Sequence, residues 1–211
     1  MKVRLAQPRL ESLDELHGRC LVLTCFADDR PLRGLTGLVD WRLNGRLSRL
    51  VLREFVDGHF REATLTPSTS RLTFDRVLLI GMGKRSEFNA DRFEETCRFC
   101  FDTLVRMEVL DFAMSLPGRV GLDVGLRQAL AGWRRALSES FAPEHLAELQ
   151  VTILETPEVQ RELVEPMRLL ERELTEIADR HAAEQARRRA EAEAQALADQ
   201  PQEYQPPPVR Y

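Results

Sequence analysis

The chain has 211 residues, 43% of them hydrophobic and 30% charged, a composition typical of a globular protein with a sizeable core. Its net charge of -4 excludes a general attraction to nucleic acid or anionic membrane, so such binding would have to be local. The apolar runs are too short to span a membrane and no signal-peptide segment opens the chain, so we expect a cytoplasmic protein with four reduced cysteines.

The first third of the chain predicts alternating strands and helices. Strands are expected at residues 3–5, 19–26 and 62–66. Pro31 is expected to open one helix, which Asn44-Gly45 ends. A second helix follows, with these apolar side chains inward: Leu47, Leu50, Val51 and Phe55.

Residues 75–85 are the stretch around which the chain is organised. The apolar run from Val77 to Ile80 is closed by Gly81 and Gly83, as in a strand buried on both faces in the middle of a sheet. Asn89 is the expected N-cap of a long helix behind it. In an α/β fold such a turn lies at the carboxyl edge of the sheet, where ligands usually bind.

The remaining segments complete one α/β domain over residues 1–156. Strands are predicted at 109–114 and 149–154, with a helix from Leu122 to Leu137 between them. The order of elements predicts a mixed, largely parallel sheet flanked by helices on both faces.

Beyond Thr156 the sequence predicts a charged helix over 157–199, kinked or restarted at Pro166, and a disordered Pro-rich tail over 200–211. One apolar seam steps by 3, 4, 3 and 4 residues: Met167, Leu170, Leu174, Ile177 and His181. This seam could pair two chains as a short coiled coil, or fold back on its own domain. Both alternatives bury the same residues, so periodicity leaves them open.

The order of these pieces resembles the N-terminal domain of the leucyl aminopeptidase family of zinc peptidases, the M17 type, which has a macro-domain-like fold. The resemblance depends on four segments. The first two are the strand with its acidic turn from Cys20 to Asp28, and Gly45-Arg46-Leu47 at the start of a helix. The other two are the strand at 62–66, and the segment Arg76 to Arg85 with Phe88 and Arg92 after it.

The resemblance implies a fold without implying an activity. In that family the metals, the catalytic lysine and the substrate pocket belong to a larger C-terminal domain. Its Asn-Thr-Asp-Ala-Glu-Gly-Arg type signature does not occur in this sequence, so no catalytic residue is carried over. The resemblance further implies a domain that helps hold an oligomer together and that touches DNA in some members.

A ligand-binding turn is the first candidate site. Gly81, Met82, Gly83, Lys84 and Arg85 could present backbone N–H groups and a lysine to a phosphate. The turn matches neither the P-loop nor the dinucleotide fingerprint, and a structural glycine turn is the alternative interpretation. A macro-like fold keeps ADP-ribose binding open.

Metal and catalytic chemistry is not expected. Cys97 and Cys100 form a C-x-x-C but share the apolar face of a helix, while Cys20 and Cys25 point to opposite faces of a strand. Buried, reduced cysteines are the better interpretation. The four histidines are scattered and no Gly-x-Ser-x-Gly elbow occurs, so we predict no metal, no cofactor and no enzyme activity.

The basic clusters are Arg187-Arg188-Arg189 and Trp133-Arg134-Arg135. Glutamates flank the first cluster, so a solvated helix face is favoured over a nucleic-acid site. The tail, with Tyr204 and Tyr211 around three prolines, is a candidate docking peptide.

The leading hypothesis is a non-catalytic assembly or regulatory protein. It would self-associate as a homo-oligomer through the α/β domain and offer its helix or tail to a protein partner. The alternatives are an ADP-ribose-binding module at the Gly81 turn, and a DNA-binding regulator that uses Arg187 to Arg189.

Overall fold

The structure is a computed structural model that describes residues 1–118 and 124–198. Six strands occur in these ranges: β1 (Lys2–Ala6), β2 (Gly18–Cys25), β3 (Ala63–Pro67), β4 (Phe74–Gly81), β5 (Asp111–Met114) and β6 (Gln150–Leu154). The α-helices of the same ranges are α1 (Leu10–Glu15), α2 (Gly34–Arg42), α3 (Arg46–Leu52), α4 (Ala90–Arg106), α5 (Leu126–Ser140), α6 (Pro143–Leu146) and α7 (Pro157–Ala198). The short helices α1 and α6 were not predicted.

The six strands form one sheet in the order β1-β6-β5-β2-β4-β3. Every neighbouring pair is parallel except β3 and β4, which are antiparallel. The predicted mixed, largely parallel sheet is therefore confirmed. The interior position expected for β4 is confirmed, since it pairs with β2 on one side and with the antiparallel edge strand β3 on the other, and its apolar run is buried on both faces.

Side chains alternate between the two faces of the sheet along the buried strands, and those on each face pack into a separate core. Cys20 and Val22 of β2 pack into a larger core with α4, α5 and α7. Leu21 and Leu23 of the same strand pack into a smaller core with α1, α2 and α3. Cys25 belongs to the smaller core, so the prediction that it points away from Cys20 is confirmed.

Two details of the predicted early helices are wrong. Pro31 does not open α2, which begins three residues later at Gly34. Phe55 is not an inward residue of α3: the helix ends at Leu52, and the Phe55 side chain is 69% exposed. Leu47 and Val51 already complete the buried stripe of this short helix.

The N-cap predicted at Asn89 is confirmed, since its side-chain oxygen accepts the Arg92 N–H at 3.0 Å. The helix predicted from Leu122 begins at Leu126, and Leu122 itself lies outside the described residues. Pro166 lies inside α7, which continues through it without restarting. The predicted tail over 200–211 also lies outside the described residues.

The first half of α7 folds back on the α/β domain. Met167, Leu170 and Leu174 are buried in the larger core, and Ile177 packs against it. Of the two alternatives left open for this seam, the structure therefore has the intrachain one, and the packed unit extends past residue 156 to Ala178. From Ala182 to Gln195 every residue of α7 is exposed.

No helix in the described ranges combines the length and apolarity needed to cross a lipid bilayer.

Candidate functional site

The turn after β4 uses its backbone donors within the chain. The N–H groups donate to these carbonyl oxygens: Gly81 to Glu62 at 2.8 Å, Met82 to Cys25 at 2.9 Å, and Gly83 to Gly58 at 3.0 Å. A phosphate cradle needs several such N–H groups free and converging on one point. Here the first three of the turn hold neighbouring loops together instead.

Both glycines of the turn are required by the close approach of residues 58–60. A Cβ at Gly81 would lie 2.1 Å from the carbonyl oxygen of His59. Gly83 has a φ of +75°, and a Cβ there would lie 3.2 Å from the Cβ of Phe60. The glycines thus serve a backbone contact, which is the structural alternative considered from the sequence.

The charged end of the turn is also engaged. The Arg85 guanidinium pairs with the Asp29 carboxylate at 2.9 Å and lies 4.3 Å from the centre of the Phe26 ring. The Arg85 N–H donates to Asp28 Oδ1 at 3.1 Å. Two carboxylates therefore face the position that an anionic ligand would need, and the exposed Lys84 is the remaining cation of the turn.

Aromatic side chains fill the space beside the turn. The rings of Phe26 and Phe88 meet edge to face with centroids 5.2 Å apart. A Cβ at Gly118 would lie 2.8 Å from the Phe88 ring, so the loop after β5 closes tightly on this pair. Together with the buried Met82, these rings pack the carboxyl edge of the sheet.

The four cysteines are buried free thiols. Burial raises the pKa of Cys20, Cys25 and Cys100 to about 12, and it raises the pKa of Cys97 well above its ordinary value. Thiols of this kind are protonated at neutral pH and are poor nucleophiles and poor metal ligands. They act as small apolar side chains in the two cores.

Within residues 1–118 and 124–198, no cluster of three or more His, Cys, Asp or Glu is arranged to hold a metal ion. His181, placed in the seam by the sequence, lies 3.4 Å from the Glu144 carboxylate.

The predicted basic clusters are largely neutralised by ion pairs. On α7, Arg187 pairs with Glu191 and Arg188 with Glu184. On α5, Arg134 pairs with Glu173 and Arg135 with Glu94. These arginines are held by neighbouring carboxylates, which reduces the field that a nucleic acid would meet.

One basic surface was missed by the sequence analysis. Residues 30–53 contain six arginines and a single acidic residue, Asp40. Arg46, Arg49 and Arg53 are spaced by three and four residues, which places them on one side of α3 and its C-cap. A search for consecutive basic residues overlooks this spacing, whereas a count of net charge along the chain would have found it.

Comparison with known families assigns most of the α/β domain. The model of the cytosol aminopeptidase family, N-terminal domain, matches residues 22–139. Curated relatives include a probable cytosol aminopeptidase of Burkholderia multivorans, 28% identical over 119 residues, which are 54% of this chain and 24% of the relative. Another, from Nitrosomonas europaea, is 31% identical over 96 residues, 46% of this chain and 19% of the relative. The chain thus spans about a quarter of the length of the curated relatives it matches.

Solved structures share the fold at low sequence identity. A tomato leucine aminopeptidase mutant superposes with a TM-score of 0.55 and 16% identity, covering 76% of this chain and 34% of that one. A Trypanosoma brucei macrodomain in complex with ADP-ribose gives 0.54 and 15%, covering 75% and 66%. The macrodomain of Thermus aquaticus DarG gives 0.53 and 14%, covering 74% and 99%. The resemblance inferred from the strand at Cys20 and the turn at Gly81 is confirmed.

Proposed function

Since the chain belongs to the family of cytosol aminopeptidase N-terminal domains, we propose that it is a non-catalytic assembly or regulatory protein. It self-associates through its α/β domain and binds a protein partner. The observation that carries this proposal is the closed carboxyl edge of the sheet, where the turn at Gly81 uses its own donors. A domain whose ligand edge is filled by its own side chains is better suited to binding proteins than to chemistry.

The two edges of the sheet differ in a way that supports self-association. The edge at β1 is covered, because α7 packs along it and Glu171 accepts the backbone N–H of Val3. At the other edge, β3 pairs with β4 alone, and its Leu65 side chain is 51% exposed. An uncovered edge strand is a template for pairing with another chain. We place the self-association surface at β3, where a second copy adds its own β3 across a two-fold axis.

The two other functions considered from the sequence have weaker support. ADP-ribose binding at the Gly81 turn would have to displace backbone hydrogen bonds and approach Asp28 and Asp29. DNA binding at Arg187 to Arg189 would compete with the ion pairs to Glu184 and Glu191. Neither site offers the several free hydrogen-bond donors and cations that binding a phosphate group requires.

The proposal is tested by the solution mass of the full chain together with an edge variant. Leu65→Lys places a charge at an exposed position of β3, a device by which natural edge strands avoid pairing. Leu169→Lys is the matched control, because Leu169 is equally apolar, 61% exposed, and lies on α7 away from the β3 edge. We expect the first substitution, and not the second, to dissociate the oligomer, while circular dichroism shows that both variants remain folded.

A further inference from the structure

The α2–α3 face, formed by Trp41, Arg46, Arg49, Leu52, Arg53 and Phe55, combines exposed apolar side chains with arginines. Trp41 is 69% exposed and Leu52 is 80% exposed. Ser48 and Trp41 line one surface depression of about 490 Å³, and Leu52 lies one helical turn after Ser48. Trp41 and Leu52 therefore lie on the same side of the α2–α3 pair, with Phe55 just beyond the end of α3.

The arginines of this face have no carboxylate partner among the described residues. Arg49 donates to the backbone carbonyl of Asn44 at 2.7 Å, and neither Arg46 nor Arg53 takes part in an ion pair there. This contrasts with α4, α5 and α7, where arginines are paired with glutamates. Positive charge is thus concentrated on one face of a chain whose net charge is negative.

The face is held in place by a buried acid. Asp40 of α2 accepts the N–H groups of Leu47 at 2.7 Å and Ser48 at 3.0 Å, so it caps the first turn of α3 from the preceding helix. Asp40 is the only acidic residue of positions 30–53, and it is used internally, where it fixes the two helices relative to each other. Glu54, exposed just after α3, forms no ion pair with these arginines among the described residues.

We propose that the α2–α3 face docks an acidic, amphipathic helical segment of a partner protein. Exposed Trp and Phe beside arginines is the composition of a protein interface, in which a few apolar anchors carry most of the binding energy. The unpaired arginines select glutamate or aspartate around those anchors and steer the encounter. This inference rests on the protein-binding function proposed above, and it specifies the partner segment as acidic, amphipathic and helical.

A second copy of this chain and a nucleic acid fit the face less well. Two copies meeting through the same face would bring their arginines together, and like charges in contact are unfavourable. A nucleic acid would contact the three arginines of this face and stack a base on Trp41. Leu52, the most exposed of the large apolar residues described, has no aromatic ring or polar group with which to bind a base. An amphipathic helix uses all of these side chains.

Trp41 is a built-in reporter for the test. The chain has two tryptophans, and Trp133 is fully buried, so quenching by acrylamide reports on Trp41. The probe is a synthetic helical peptide of about 18 residues, with leucine on one face and glutamate elsewhere. A scrambled peptide of the same composition spreads the leucines around the helix. A single-stranded oligonucleotide of about 20 nucleotides is the third probe.

The expected result is saturable binding of the amphipathic peptide that protects Trp41 from quenching. Binding should weaken about tenfold or more in R46A/R49A/R53A and in L52A. The control R187A/R188A/R189A removes the same number of charges elsewhere and should bind as the wild type does. Circular dichroism checks that each variant is folded.

Three results would overturn the inference: equal binding of the scrambled peptide, equal loss in the R187A/R188A/R189A control, or tight binding of the oligonucleotide with none of the peptide. The last would make the face a nucleic-acid site. The solution mass separates this inference from the proposed self-association. An oligomer that binds no peptide overturns only the docking face, whereas a monomer that binds it overturns only the self-association.

Discussion

The backbone N–H of Val3, at the outer edge of β1, donates a hydrogen bond to the carboxylate of Glu171 on α7. The two residues lie 168 positions apart in the sequence. This contact joins the first strand to the last helix and satisfies a donor that an edge strand would otherwise leave unpaired. Beside it, Leu170 and Leu174 of the same helix enter the larger core. One helix therefore covers both the side chains and the backbone of this edge.

Glu171→Ala should lower the free energy of unfolding by about 1–2 kcal/mol, because the Val3 donor loses its charged acceptor. Glu171→Gln keeps an oxygen acceptor and should lose less. Glu165→Ala is the control: Glu165 is exposed and makes only a distant pair with Arg168, so its change should stay within about 0.5 kcal/mol. Urea unfolding measures all three, and equal effects of the substitutions at 165 and 171 would contradict the edge contact.

A chain ending at Ala182 should keep the thermal stability of the full protein, because the residues of α7 beyond this point are exposed. A chain ending at Thr156 should fail to fold cooperatively. It lacks Leu163 and Met167, which are buried in the larger core. The loss of two buried side chains of this size lowers the free energy of unfolding by several kcal/mol. Thermal unfolding followed by circular dichroism distinguishes the two. A cooperative transition in the shorter chain would show that α7 is separable.

Gly81→Ala should destabilise the protein by roughly 3 kcal/mol, because the new methyl group meets the backbone of residues 58 and 59, which cannot move away as a flexible side chain can. Gly125→Ala is the matched control, since no described residue lies within 4 Å of a Cβ there and its φ is -59°. Its free energy of unfolding should change by no more than about 1 kcal/mol, because the entropic gain of alanine opposes its weaker capping of α5. If Gly81→Ala is as stable as the control, the turn is open and the ligand hypothesis gains support.

The four thiols should not react with a disulfide reagent in the native protein at pH 8, and all four should react once the chain is unfolded in guanidinium. The reason is burial, which holds the pKa of Cys20, Cys25 and Cys100 at about 12. Thiol titration with and without denaturant measures this. A fast-reacting thiol in the native state would contradict the buried placement.

The same thiols predict the direction of the alkaline stability curve. Below pH 9 they are protonated in both the folded and the unfolded chain, and their contribution is fully present. Between the ordinary pKa of 9.0 and the folded pKa of about 12, the unfolded chain ionises first. The free energy of unfolding should therefore fall as the pH rises through this window.

Local patterns predicted most of the strands and the long helices because burial leaves a period in the sequence. The alternation of Leu21 and Val22 between the two cores, and the N-cap at Asn89, are of this kind. The local sequence does not indicate which surface packs against a buried face. The period of Met167 and Leu170 is the same whether a second chain or the domain's own core covers them.

The candidate sites also include contacts that local spacing predicts and contacts that depend on residues far apart in the sequence. The pairing of Arg188 with Glu184 follows from their spacing on one helix and was predictable. The closure of the Gly81 turn depends on His59, 22 residues earlier, and its cause is invisible in the turn itself. The α2–α3 face was missed because its arginines are spread over helical spacings, and because the cap that occupies Asp40 is a contact between two helices.

Self-association through the α/β domain is tested by the solution mass of the full chain, measured by light scattering on a sizing column over a range of concentrations. We predict a species of at least twice 24.2 kDa, reduced to 24.2 kDa by Leu65→Lys and unaffected by Leu169→Lys. A wild-type chain that elutes at 24.2 kDa at every concentration would contradict self-association through the α/β domain.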